Sequence, residues 1–155
     1  MQSLKDVPGN EDTPGLVIGA PLSRDPPGDV LVLLPRVSLD EIKRSHGNGF
    51  KVGTNSVRCA AYARRLFPDI EVTHFRGAAD TRICKLDHLE RQRPPDGCAV
   101  GPADALIVAR SELESVADRI AYEFSPQEMQ PAVGHGIVAR SNASRGIDQR
   151  GRFLR

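Results

Sequence analysis

The sequence predicts an α/β fold. Three observations carry that reading: apolar runs of strand length recur along the chain, segments of helical period lie between them, and glycine- or proline-bearing stretches punctuate the junctions. Strand–helix–strand–helix–strand order implies parallel strands joined by crossovers, with helices packed on a sheet as an α/β sandwich.

The elements follow in order. Leu16 to Ala20 is an apolar run after Thr-Pro-Gly and predicts a short buried strand. Ser23 to Gly28 contains adjacent prolines, which cannot donate to a ladder, and predicts a loop. Asp29 to Leu34 predicts a second strand, closed by Pro35. Ser38 to Arg44 has a helical start, with Ser38 and Glu41 in capping-box spacing, and Gly47-Asn48-Gly49 ends it. Phe50 to Thr54 reads as a strand. Ser56 to Phe67 reads as a helix with Val57, Ala60, Ala61 and Leu66 at roughly helical spacing. Ile70 to Phe75 alternates as a strand does, and Asp80 to Leu89 suits a helix presenting Ile83, Leu86 and Leu89. Asp104 to Ala109 predicts a buried strand after a loop at 94–102, Glu112 to Tyr122 a helix, and Ile137 to Ala139 a last strand. From Arg140 to Arg155 there are five arginines and one acid, which predicts a poorly packed tail.

Composition narrows the function classes. Of 155 residues, 39% are hydrophobic and 26% charged, as in a globular protein. No run approaches the ~18 apolar residues of a membrane helix, and the N-terminus shows no apolar leader. A net charge of +1 lacks the basic excess of a general nucleic-acid binder. Three cysteines, Cys59, Cys84 and Cys98, have no paired metal-ligand spacing, and reduced thiols in a cytosol-like compartment are expected. The four histidines likewise show no metal-type spacing, so no metal site is expected.

Two strand-to-helix junctions could carry chemistry. Gly53-Thr54-Asn55-Ser56 precedes Arg58 at one helix start, and Arg76-Gly77 ends a strand one turn before Arg82. Backbone N–H groups at helix starts attract anions, hydroxyls of Thr54 and Ser56 add donors, and arginine grips carboxylates through a two-donor fork. Both junctions fall at carboxyl ends of strands predicted to be parallel, where open α/β sheets place ligands. The set fits a small polyanion, whereas any one of these arginines alone reads as solvated surface charge. Ser3-Leu4-Lys5-Asp6-Val7-Pro8 sets an acid beside a base, by itself a common surface feature.

Six ordered blocks then resemble the porphobilinogen deaminase (hydroxymethylbilane synthase) family. They are Ser3 to Pro8; Gly15 to Ala20 with Arg24-Asp25-Pro26; Val52-Gly53-Thr54-Asn55-Ser56-Val57-Arg58; Phe67-Pro68-Asp69 with Arg76-Gly77, Asp80-Thr81-Arg82 and Lys85-Leu86-Asp87; Asp104 to Ala109; and Pro131-Ala132-Val133-Gly134-His135-Gly136. The resemblance implies a transferase of tetrapyrrole (heme) biosynthesis that condenses porphobilinogen on a covalent dipyrromethane primer, in the cytoplasm, typically as a monomer, with no nucleic-acid or membrane partner. It implies a catalytic role for Asp6 and carboxylate binding by Ser3, Lys5, Thr54, Ser56, Arg58, Arg76 and Arg82. It also implies type II periplasmic-binding-protein-like lobes: a partial first domain at 1–40 with the catalytic-loop segment, a near-complete second domain at 50–123, a return segment at 126–140 and a basic tail at 141–155.

The chain departs from the family pattern in several places. Cys59 stands where a second arginine is usual, Ala78 for asparagine, His135 for glutamine and Asn55 for serine. The third domain, with the primer cysteine, has no counterpart. Asp96-Gly97-Cys98 has a faint likeness to the attachment segment but precedes the Asp104 strand and reads as a loop cysteine. The expectation is therefore a truncated family member whose condensation activity is impaired. The alternative is a non-catalytic remnant that binds pyrrole carboxylates or other small anions.

Overall fold

The computed structural model describes residues 2–7, 16–91, 101–113 and 118–143. The chain divides into two units, Met1–Pro27 with Ala132–Arg155, and Gly28–Pro131. The division thus falls at 27/28 and 131/132, which puts the strand at Asp29 in the second unit. No helix among the described residues is long and apolar enough to cross a membrane.

In the unit Gly28–Pro131, the strands are β3 (Asp29–Leu33), β4 (Lys51–Gly53), β5 (Glu71–Thr73), β6 (Ala105–Ala109) and β7 (Ile120–Glu123), ordered β5-β4-β6-β3-β7. The helices are α1 (Leu39–Arg44), α2 (Val57–Leu66) and α3 (Ala79–Asp87). β4 lies parallel to both β5 and β6, as the strand–helix alternation predicts. β3 runs antiparallel to β6 and to β7, so the sheet is mixed rather than wholly parallel.

β3 and β6 are buried along their whole length because the sheet is covered on both faces. Leu31, Leu33, Ala105 and Ile107 point to one face, where Ile42 of α1 and Cys59 and Ala63 of α2 meet them. Val30, Val32, Leu106 and Val108 point to the other, where Phe75 and Ile83 and Leu86 of α3 pack. Isolated helices of nine or ten residues are marginal in water, so this packing decides whether α2 and α3 form. Each fully buried Ile or Leu contributes roughly 1.5–3 kcal/mol of transfer free energy, several times any capping term.

Several expectations are corrected here. α2 does not bury Val57, which is 87% exposed. Its inward stripe is Cys59 and Ala63, flanked by half-buried Tyr62 and Leu66, and Ala61 is exposed. Ser38 caps α1 only through its backbone carbonyl, which accepts from Ile42 N–H; its side chain makes no capping bond. α3 stops at Asp87, because Leu89 turns to a φ of 53° and faces solvent. The helix expected over Glu112 to Tyr122 gives way to strand β7, whose half-buried Ile120 and Tyr122 alternate with exposed Ala121 and Glu123. Residues 114–117 and 92–100, the latter holding Cys98 and most of the loop expected at 94–102, lie outside the described residues.

The other unit is an antiparallel sheet of β1 (Gln2–Ser3), β2 (Leu16–Pro21) and β8 (Val138–Ala143), with β8 central. A bulge between Ile18 and Ala20 shifts the β2 register. β2 is not the buried strand expected: it pairs on one side only, and Ile18 is half exposed. The first residues of the expected tail belong to β8, which runs to Ala143; residues 144–155 lie outside the described residues.

A bidentate ion pair fastens the end of α3 to the segment entering β7. Arg119 Nη1 and Nη2 donate to Asp87 Oδ2 and Oδ1 at 3.0 and 2.8 Å. These hydrogen bonds hold the Asp87 carboxyl below its ordinary pKa. The pair is partly exposed, so its worth is about 1 kcal/mol or less. A depressed carboxyl pKa contributes stability that is full above the unfolded value, near ~4, and is lost as pH falls through the folded value. Urea midpoints at neutral pH and near pH 3 should therefore differ less in Asp87→Asn than in the wild type. An equal acid loss in both would assign it to other carboxyls.

Candidate functional site

The parallel pairing of β4 with β5 brings two helix starts to one sheet edge. Three residues separate β4 from α2 and five separate β5 from α3, so both helices start past the carboxyl ends of their strands. Two hydrogen bonds lock the junctions together: Thr54 N–H donates to Thr73 O at 3.0 Å, and Phe75 N–H to Asn55 Oδ1 at 3.0 Å. Gly53 lies beneath them, and a Cβ there would meet Leu106 and Phe75 side chains at 2.6 and 2.9 Å. Only glycine lets the two side chains close over the strand end.

The hydroxyls at this edge have structural duties. Thr54, 4% exposed, accepts from Ser56 N–H at 3.2 Å, and Ser56 is the N-cap of α2, accepting from Cys59 N–H at 3.2 Å. Arg58, in the first turn of α2, donates from Nη2 to Asp29 Oδ2 at 2.7 Å and from Nη1 to Gln130 O at 2.8 Å. Asp29, at the lip of β3, is 3% exposed. Arg82 approaches from α3, on the opposite face of the sheet, and donates from Nη2 to Glu112 Oε2 at 2.8 Å and from Nη1 to Ile107 O at 3.5 Å. Its Nε is buried with no hydrogen-bond partner among the described residues. Arg76 is exposed, and its carbonyl receives Lys85 Nζ at 3.1 Å. Gly77, at a φ of 126°, makes the turn between Arg76 and α3.

Five of the eight sequence-derived residues, Thr54, Ser56, Arg58, Arg76 and Arg82, thus lie toward the same end of the five-stranded sheet, Arg58 on the α2 face and Arg82 on the α3 face. Ser3, Lys5 and Asp6 sit in the other unit. There Ser3 ends β1, and Leu4 to Asp6 form a single 3-10 turn with Lys5 and Asp6 exposed. Leu4 N–H donates to Ile137 O at 2.8 Å. Gly134, at a φ of 72°, lies so close that a Cβ would come within 3.1 Å of the Leu4–Lys5 peptide. Arg24 Nε donates to His135 O at 3.0 Å and Asp25 N–H to Gly136 O at 2.8 Å, so two of the sequence blocks are the cradle of this turn.

Sequence reasoning missed Asp29, Asn55, Glu112 and the Gln130 carbonyl. Asp29 had a signal: an acid opening an otherwise apolar strand buried on both faces must find a partner. Cys59, 3% exposed, sits with its Sγ 3.8 Å from Asp29 Oδ1. Burial is the main influence pushing its thiol pKa up, Asp29 adds to it, and the Ser56 and Thr54 hydroxyls and the Arg58 charge act against it. Cys84 is exposed, 3.5 Å from His88 Nδ1 on the outer side of α3. Among the described residues no cluster of three or more His, Cys, Asp or Glu could hold a metal ion.

Residues 1–146 match the family model described as porphobilinogen deaminase, dipyromethane cofactor binding domain. The chain belongs to the porphobilinogen deaminase family. Relatives named porphobilinogen deaminase include that of Rickettsia conorii, 34% identical over 142 residues, and that of Stenotrophomonas maltophilia, 36% identical over 141; each match covers 90% of this chain. Porphobilinogen deaminase 2 of Streptomyces coelicolor is 37% identical over 139 residues, 88% of this chain. The matched regions span 36%, 41% and 39% of those three relatives.

The family's cofactor tests the site. An exposed guanidinium at Arg76 and the orphaned Nε of Arg82 fit the carboxylates of a dipyrromethane. The described cysteines do not fit as its anchor: Cys59 is a buried neutral thiol, and Cys84 lies on the outer side of α3.

The Asp29–Arg58 pair decides how variants of Arg58 are to be interpreted. Arg58→Ala leaves a buried carboxylate without its cation and should cost about 3–5 kcal/mol in urea unfolding. Adding Asp29→Asn should recover a large part of that loss. Equal losses in the single and double variants would mean that the pair is not coupled.

Proposed function

We propose that this chain is the carboxylate-binding part of a porphobilinogen deaminase, a hydroxymethylbilane synthase-type transferase condensing porphobilinogen into a linear tetrapyrrole. The observation that carries the reading is the shared carboxyl end of β4 and β5, where two helices start and Arg58, Arg76 and Arg82 lie on or beside them. Porphobilinogen bears acetate and propionate groups, and a growing pyrrole chain gains negative charge with each unit. Fixed guanidinium forks at helix N-termini are the chemistry that recognises such groups.

The family resemblance and the partners of each side chain together support these roles. Arg76 and Arg82 receive carboxylates directly, and Arg58 does so with the N–H groups not given to Asp29 and Gln130. Ser56 and Thr54 orient the first turn of α2. Lys5 and Ser3, beside Asp6 on the same turn, bind carboxylates of substrate or cofactor. The Asp6 carboxylate stabilises positive charge developing on a pyrrole and accepts the ring proton released when a new carbon–carbon bond forms and ammonia departs. A bound dipyrromethane supplies the primer to which the pyrrole units are joined. We read the two units as type II periplasmic-binding-protein-like lobes, with Gly28–Pro131 as the second domain. The free thiols Cys59 and Cys84 suit a reducing, cytoplasmic setting.

A second reading, a non-catalytic protein that binds pyrrole carboxylates or other small anions, is favoured by one observation: neither described cysteine, buried Cys59 or Cys84 on the outer side of α3, fits as a primer anchor. Two measurements separate the readings. Porphobilinogen at ten times its dissociation constant should stabilise the chain by about 1.4 kcal/mol, a rise of several degrees in Tm. Exposed Arg76→Ala should abolish the rise while leaving the unliganded Tm nearly unchanged. Identical melting with and without ligand would refute carboxylate binding. Uroporphyrin absorbance after acid oxidation, lost in Asp6→Ala, would establish condensation. A Tm rise without colour would establish binding alone.

A further inference from the structure

We propose that Asp29 limits the affinity of the arginine edge: it is an internal carboxylate that occupies Arg58 and weakens the hold on an incoming carboxylate. The inference deepens the carboxylate-binding reading and rests on it.

The geometry is specific. Asp29 Oδ2 lies 2.7 Å from Arg58 Nη2, a distance typical of a strong charge-assisted hydrogen bond. The acid is almost fully buried and its guanidinium partner 25% exposed, so Arg58 is held from the inside and open only on its outer side. Gln130 O takes Nη1, which fixes the plane of the fork. The Cys59 thiol, kept neutral by burial, faces the second Asp29 oxygen at 3.8 Å as a weak donor. A cysteine there brings no positive charge, so Arg58 alone offsets the Asp29 carboxylate within this cluster.

An anion that reaches the outer side of Arg58 therefore meets a guanidinium whose charge is already offset by a carboxylate a few ångströms behind it. At a partly buried edge the repulsion between the two carboxylates is large enough to lower affinity by on the order of tenfold or more. Glu112 does the same to Arg82 more weakly, because its side chain is 38% exposed. The edge is thus rigid but electrostatically restrained, which suits a ligand that must be held in register without being trapped.

The test measures binding by calorimetry, with succinate as a plain dicarboxylate probe and porphobilinogen alongside it. Asp29→Asn keeps shape and an acceptor for Arg58 while removing the charge. It should bind succinate on the order of tenfold tighter than the wild type, and Glu112→Gln should show a smaller rise. Asp87→Asn makes the same charge change where Arg119 reaches toward Leu33 O, at the opposite end of β3 from Asp29, and should leave affinity unchanged. Equal or weaker succinate binding by a folded Asp29→Asn overturns the inference, as does an equal rise in Asp87→Asn, which would make the effect one of net charge. If Asp29→Asn fails to fold by circular dichroism, the Glu112→Gln comparison decides: an unchanged affinity there overturns the proposal. Tighter succinate binding by Asp29→Asn, with no porphobilinogen binding by either protein, would sustain the restraint while refuting the tetrapyrrole reading. Absence of succinate binding in all variants refutes the restraint.

Discussion

The carboxyl edge of the five-stranded sheet depends on one buried charge, Asp29. A carboxylate 3% exposed at the end of a strand covered on both faces is tolerable only when paired, and Arg58 is its cation. That requirement sets the first turn of α2, since Arg58 must reach both β3 and the Gln130 carbonyl. With α2 placed, Ser56 caps it and Thr54 holds Ser56 N–H. The Thr54 backbone and Asn55 side chain then tie this junction to the end of β5. The positions of Thr54, Ser56 and Arg58 are thus tied to satisfying a buried acid.

This ordering changes how inherited residues are interpreted. The family resemblance implies carboxylate binding by Arg58, and in this fold the carboxylate it already holds is the chain's own Asp29. Arg82 is likewise committed to Glu112 and a backbone carbonyl. Such arginines lose little rotamer freedom on binding, because internal partners already hold them, and they gain less Coulomb energy for the same reason. Arg76 is the reverse case, exposed and offering charge at the cost of ordering a long side chain. Pre-organisation and affinity are therefore divided among different arginines along the edge.

Much of the framework was legible in the sequence, and the failures have identifiable causes. The continuous apolar runs of β3 and β6 signal strands buried on both faces, and the strand–helix alternation gives the parallel β4, β5 and β6. Antiparallel β3 and β7 were not legible, because direction depends on how strands order in space. α2 was placed correctly but turned wrongly. Val57 looks apolar and Cys59 looks incidental, whereas α2 turns Cys59 and Ala63 inward, Arg58 toward Asp29 and Val57 to solvent. β7 hid in a four-residue alternation, Ile120 to Glu123, too short to outweigh a longer helical pattern. The candidate arginines could be read from motif spacing. Their acidic partners could not, since Asp29 and Glu112 lie 29 and 30 residues away in sequence.

The hydroxyls at the α2 start show how a structural duty and a binding duty can coexist. A hydroxyl offers one donor and two acceptor positions. Ser56 spends acceptor capacity on Cys59 N–H, and Thr54 spends it on Ser56 N–H. Accepting from the backbone turns the oxygen lone pairs toward the helix and leaves each O–H to be donated elsewhere. An N-cap serine beside an anion site is thus consistent with both roles: its oxygen completes the helix start, and its proton adds to the N–H groups that an anion meets there. Exchange to alanine at Ser56 would remove both at once, whereas threonine retains the hydroxyl and separates chemistry from shape.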